Sequence, residues 1–131
     1  MRKEKIVSGD KDTGKIMKVI IAGGRDFNQY SEMVTRCKHY FKNTDNVEIV
    51  SGNAKGADFL GERFAKENEY SLKLFPADWN KHGKPAGILR NIDMADYADA
   101  LIAFWDGKSR GTKHMIDTAK SKGLIVRVVK Y

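Results

Sequence analysis

The chain is poor in cysteine, in proline and in long apolar runs, and each shortage removes a class of protein. A single cysteine, Cys37, cannot close an internal disulfide, and no Cys/His cluster has ligand spacing, so no structural zinc or other metal is expected. Only 2 prolines, with 41% hydrophobic residues, argue against a disordered tail. The longest apolar stretch, Val19 to Ala22 with its flanks, falls far short of the roughly 20 residues that a helical bilayer crossing needs, so no membrane association is expected. The N-terminus starts basic but offers only Ile6-Val7 as an apolar pair, too little for the core of a secretion signal. A cytoplasmic location is the resulting expectation.

What is present is charge. Lys+Arg number 24 against 17 Asp+Glu, a formal net charge of +7. That excess fits a polyanionic partner, a phosphorylated ligand or a plain lysine-rich surface. The lysines are scattered and no basic stripe is interleaved with aromatics, which argues against a nucleic-acid partner.

The 131 residues suit one compact domain. Residues 1–16 are polar and read as an extension, with a short hairpin or edge strand around Lys5 to Ser8; the domain itself is expected over 17–131. Five short apolar runs follow: Lys18 to Ala22, Val47 to Val50, Leu72 to Phe75, Ala100 to Phe104 and Ile125 to Val129. Runs without strict alternation suit central strands covered on both faces, and the last, which alternates more, suits an edge. Between them, apolar residues recur at helical spacing over Tyr30 to Lys42, Ala57 to Asn68, Ala86 to Tyr97, with Leu89, Ile92 and Ala95 on one face, and Thr112 to Lys122. Strands alternating with helices predict a parallel sheet with right-handed crossovers: an α/β, three-layer Rossmann-like sandwich with strand order 3-2-1-4-5.

Six of the 12 glycines fall just after the first, second and fourth strands: Gly23, Gly24, Gly52, Gly56, Gly107 and Gly111. Parallel sheets bind ligands at the carboxyl ends of their strands, where the strand order reverses, and those three loops converge there. Glycine lets a ligand approach peptide N–H groups, and the helix that follows offers donors to an anion, so phosphate is the natural guest. The first loop is not a GxGxxG fingerprint, and no acid ends the second strand to hold a ribose, which excludes a standard NAD site. Arg25 offers a planar fork for a phosphate or is a plain surface arginine, and Asp26 either fixes that fork or starts the helix with Asn28. In Ser51-Gly52-Asn53-Ala54-Lys55-Gly56-Ala57-Asp58, Ser51 adds a hydroxyl donor, and Asp58 either matches the helix dipole or holds a sugar hydroxyl. Trp79 stacks on a base or serves as a packing lid. His82 reads as a loop residue in the polar stretch Asn80 to Lys84, His39 and His114 as helix-surface residues, and Cys37 as a mid-helix residue on the apolar face. No Ser/His/Asp or Cys/His nucleophile assembles.

Five segments taken together carry a resemblance: Gly23 to Phe27, Ser51 to Asp58, Phe75 to Trp79, Gly87 to Asn91 and Gly107 to Thr112. They resemble the SLOG superfamily in its YspA-like branch, over about residues 17 to 130. The resemblance implies a domain that binds nucleotides or nucleotide-derived ligands, related to the Lonely Guy phosphoribohydrolases and to the DNA-processing protein DprA. It implies no cofactor, and it leaves room for a homodimer. The Lonely Guy enzymes cleave an N-glycosidic bond with an Arg-Lys pair and a Glu three residues after the Thr of a PGGxGTxxE motif. Arg90 matches that arginine and Gly111-Thr112 the glycine-threonine, but Asn91 replaces the lysine, Met115 replaces the glutamate, and Lys108-Ser109-Arg110 lengthens the loop. Asp78, Asp106 or Asp117 would have to supply the carboxylate if Arg90 served catalysis. The leading expectation is a sensor or carrier of a nucleotide-derived small molecule, its phosphate on Gly52 to Gly56 and Ser109 to Thr112 beside Arg25 and Arg90. The alternatives are hydrolysis of a nucleoside monophosphate and, by analogy with DprA alone, DNA binding.

Overall fold

A computed structural model describes residues 16–44 and 46–131; the expected hairpin or edge strand near the N-terminus lies outside the described residues. The elements run β1 (Met17–Gly23), α1 (Tyr30–Phe41), β2 (Val47–Ser51), α2 (Ala57–Glu67), β3 (Ser71–Leu74), α3 (Trp79–His82), α4 (Ala86–Tyr97), β4 (Ala100–Trp105), α5 (Arg110–Ser121) and β5 (Ile125–Lys130). The five strands form one parallel sheet in the order β3-β2-β1-β4-β5, an α/β Rossmann-like fold.

Successive side chains of a strand point to opposite faces, so each central strand feeds two cores. Val19 and Ile21 of β1 pack with Ile49, Ile102, Met33 and Phe64 on the α1 and α2 side. Ile20 and Ala22 pack with Val50, Leu101, Met94 and Met115 on the α4 and α5 side. Coverage on both faces is why these strands are apolar at every position. The edge strand β3 is largely exposed, and β5 is only partly buried.

Three local features differ from expectation. A short helix, α3, stands where the sequence reads as a polar loop; the Asp78 carboxylate starts it by accepting from the Lys81 N–H at 3.0 Å. Helix α5 begins at Arg110, before Thr112, because Ser109 Oγ accepts from the Thr112 N–H at 3.3 Å. The inward face of α4 is Ala86, Asn91, Met94 and Ala95, whereas Leu89 is exposed. Asn91 can face inward because its amide is hydrogen-bonded from both ends, as described below.

The chain winds outward from β1 to β3 and then returns to β4 beside β1. The first and fourth loops therefore part company at the carboxyl ends of adjacent strands, opening a crevice between them.

Candidate ligand-binding site at the carboxyl edge of the sheet

A cavity of about 620 Å³ occupies that crevice. Gly23, Gly24, Arg25 and Asp26 line it from the β1 loop, Asp58 from α2, Trp79 from α3, Arg90 and Asn91 from α4, and Asp106, Ser109, Gly111 and Thr112 from the β4 loop and α5. Lys84, Ile88, Met94 and His114, which the sequence did not mark as ligand-facing, also line it, as do Met115 and Arg110, the latter within the Ser109 to Thr112 loop expected to hold phosphate. Ser51, Gly52, Lys55, Gly56, Gly107, Asp78 and Asp117 lie outside it.

Arg90 is the hub. Its Nε donates to Asn91 Oδ1 at 3.0 Å, and its Nη1 donates to the Gly52 carbonyl. A guanidinium only donates, so the oxygen of the Asn91 amide must face Arg90, and its nitrogen faces Gly111 O at 3.4 Å and His114 Nδ1 at 3.1 Å. His114 Nδ1 is then an acceptor. Its Nε2 carries the proton and donates to Thr118 Oγ1 at 3.3 Å. Asn91 thus aligns Arg90 and His114 on neighbouring helices, and Arg90 Nη2 is left with no acceptor among the described residues. His114 is not the plain surface residue that its position in the sequence suggests.

The loop after β2 is tied inward. Ser51 is fully buried, its Oγ donating to Glu62 Oε2 at 2.8 Å and accepting from the Asn53 N–H at 3.0 Å. The Ala54 N–H is taken by Asp58 Oδ2 at 3.2 Å. A Cβ on Gly52 would lie 2.6 Å from Arg90 Nη1, so the arginine covers this turn. Of the segment expected to cradle a phosphate, only Ala54 and Asp58 reach the cavity.

Asp58 is 5% exposed. Burial lifts its carboxyl to about 6; the Ala54 N–H and the Arg90 charge oppose that rise, Glu62 adds to it, and Arg25 lowers it. An acid raised in the folded state binds its proton more tightly there, so its contribution to stability falls as pH rises from 3.8 to about 6. Wild-type protein should therefore lose stability across that window relative to Asp58→Asn, as read from urea midpoints on either side of it. Parallel profiles for the two proteins would assign the effect to another group.

The remaining carboxylates are committed. Asp106 accepts from the Lys108 and Ser109 N–H groups, both at 2.8 Å, which hold it below the usual carboxylate range. Asp26 accepts from the Tyr131 hydroxyl at 2.6 Å and neither clamps Arg25 nor caps α1, whose N-cap is Gln29. Asp78 caps α3, and Asp117 pairs with Lys113 at 2.7 Å on the exposed face of α5. By contrast, the side chains of Arg25, Lys84 and Arg110 make no hydrogen bond or ion pair among the described residues. Met115 is buried, and the Trp79 indole is 50% exposed rather than acting as a closed lid.

The family model for "YspA, cpYpsA-related SLOG family" matches residues 17–82. The chain belongs to this family. Among its relatives, the Gene 61 protein of Mycobacterium phage D29 is 40% identical over 84 residues, which cover 60% of this chain and 67% of that protein. This SLOG domain also shares its fold with DNA processing protein A from Helicobacter pylori, at a TM-score of 0.61 and 22% identity over 92% of this chain and 69% of the other. The structure of that protein was described for its single-stranded DNA binding mode. The expectation that nucleic acid is no partner is withdrawn on that finding. Its premise was the lack of a basic stripe along the sequence, whereas Arg25, Lys84, Arg90 and Arg110 come from separate segments and meet only in the fold. No helix among the described residues is long and apolar enough to cross a membrane.

Proposed function

We propose that this SLOG domain holds a phosphorylated, nucleotide-derived ligand in the cavity, as a sensor or carrier. The observation that carries this reading is the convergence on one cavity of Arg90 with three cations, Arg25, Lys84 and Arg110, whose side chains make no hydrogen bond or ion pair among the described residues. Met94 and Met115 give it an apolar floor, and Trp79 gives it an indole at the rim. Cationic donors suit a phosphate, and the apolar and aromatic surface suits a base. Its volume is within the range of small-molecule sites, which is roughly 300–1,000 Å³.

Binding without cleavage is the expected outcome. Met115 stands on α5 where the resembling hydrolases carry a glutamate, and the acids that line the cavity among the described residues, Asp26, Asp58 and Asp106, are held by protein donors. Calorimetry with a nucleoside 5'-monophosphate, the corresponding nucleoside and ribose 5-phosphate tests the reading. The monophosphate should bind at least about tenfold more tightly than either fragment, since each fragment lacks one of the two contacts. Equal affinity for all three would overturn it, and free base accumulating during a long incubation would overturn binding without cleavage.

Single-stranded nucleic acid is the second reading, favoured by the fold shared with DNA processing protein A and by the net charge of +7. Affinity for an oligonucleotide should then fall steeply with salt, because each neutralised phosphate releases counterions.

A further inference from the structure

Phe59, on the first turn of α2, is 61% exposed, the most exposed of the large apolar side chains described. The fold does not use it: α2 turns Ala57, Asp58, Gly61, Glu62, Phe64 and Ala65 inward. Phe59 instead borders a shallow depression with Asn53, Ala54, Lys55 and Gly56. Ala54 lines both this depression and the main cavity, so a single residue separates the two. Lys55, at the same place, makes no hydrogen bond or ion pair among the described residues. An exposed aromatic face beside a cation with no partner among the described residues, next to a cationic cavity that Trp79 also lines, repeats the pairing of stacking surface and backbone charge that single strands require.

We propose that Phe59 and Lys55 form a second nucleotide subsite, so that the ligand is a single-stranded oligonucleotide of at least two residues lying across the sheet edge. One base stacks at Trp79 and another at Phe59, with the 5' phosphate toward Arg25 and the linking phosphate toward Lys55. The inference rests on the cavity binding a nucleotide, and the test separates the two. Stacking is indifferent to base identity, so length rather than sequence should govern affinity.

Fluorescence anisotropy against thymidine 5'-monophosphate competitor and labelled dT2, dT4 and dT8 gives the length dependence, with the matching uridine oligomers as a second arm that distinguishes DNA from RNA. Wild-type affinity should rise at least about tenfold from the monophosphate to dT4. Phe59→Ala should abolish most of that gain while leaving the monophosphate constant unchanged, and Phe59→Trp should restore it. Because Phe59 is exposed, its loss should leave the unfolding midpoint in place, which a melt verifies. If dT4 binds wild type no better than the monophosphate, or binds Phe59→Ala as tightly as wild type, the second subsite does not exist and the mononucleotide reading stands. If oligomers bind in a Phe59-dependent way while the monophosphate does not bind at all, the mononucleotide reading fails and the strand proposal stands.

Discussion

Replacing Gly56 with alanine is expected to lower the unfolding free energy by about 3 kcal/mol, and the melting temperature by about 10 °C. Gly56 has φ +73°, in the left-handed region that side chains disfavour. An added Cβ would also lie 2.3 Å from Gly24 O and 2.5 Å from Arg25 O, both backbone atoms. Those atoms cannot retreat cheaply. Gly24 O accepts from the Ala57 N–H at 3.1 Å and from the Phe27 N–H at 3.2 Å, while the Gly24 N–H donates to Phe104 O at 3.1 Å. The loops after β1 and β2 and the end of β4 are thus pinned through one residue, Gly24, and the new methyl must force them apart. Gly111→Ala is the control, since a Cβ there meets nothing within 4 Å and its φ is not positive. It should change stability by less than about 1 kcal/mol. Denaturant titrations of both variants decide the matter, and equal losses would remove the loop-pinning explanation. In this fold, then, Gly56 lies outside the main cavity yet fixes the loops that shape it.

The sheet was legible because its central strands are covered on both faces. Val19 to Ala22 and Leu101 to Phe104 are apolar at every position, and short connections leave few ways to wind them. The faces of the helices were less legible. On α4, Asn91 faces inward where apolar periodicity puts Leu89, and only its partners, Arg90 beside it and Gly111 and His114 on α5, reveal why. The four-residue α3 hangs on a single cap, a signal too local for periodicity to register. The glycine clustering pointed to the sheet edge where the cavity lies, but not to most of the side chains that line it. Ser51 read as a ligand donor because nothing near it in sequence announces the buried Glu62 that accepts its hydrogen bond. One signal was available: Asp58 and Glu62 lie four residues apart on the same face of α2 as Phe64 and Ala65, where acids are out of place. The gathering of cations from four segments is a tertiary fact that no window along the chain contains.

Arg90→Ala should weaken binding of a nucleoside monophosphate by about ten- to a hundredfold, the range of a charge-assisted hydrogen bond. The variant should also be less stable, for a separate reason. Arg90 holds the Gly52 carbonyl, and its charge is among the influences that keep the Asp58 carboxyl from rising further. Without it the folded-state value moves above about 6, so the stability lost on raising pH continues to higher pH. Asp58→Asn removes that buried charge. In the Arg90→Ala background it should recover stability at neutral pH while leaving the binding defect in place, because an amide in α2 supplies no donor fork to a phosphate. Chemical denaturation and calorimetry on the four proteins of this cycle separate the two roles. Recovery of both properties would mean that Arg90 only supports the β2 loop. Recovery of stability alone places its free Nη2 donors on the ligand, with Asn91 holding the guanidinium in the orientation that presents them.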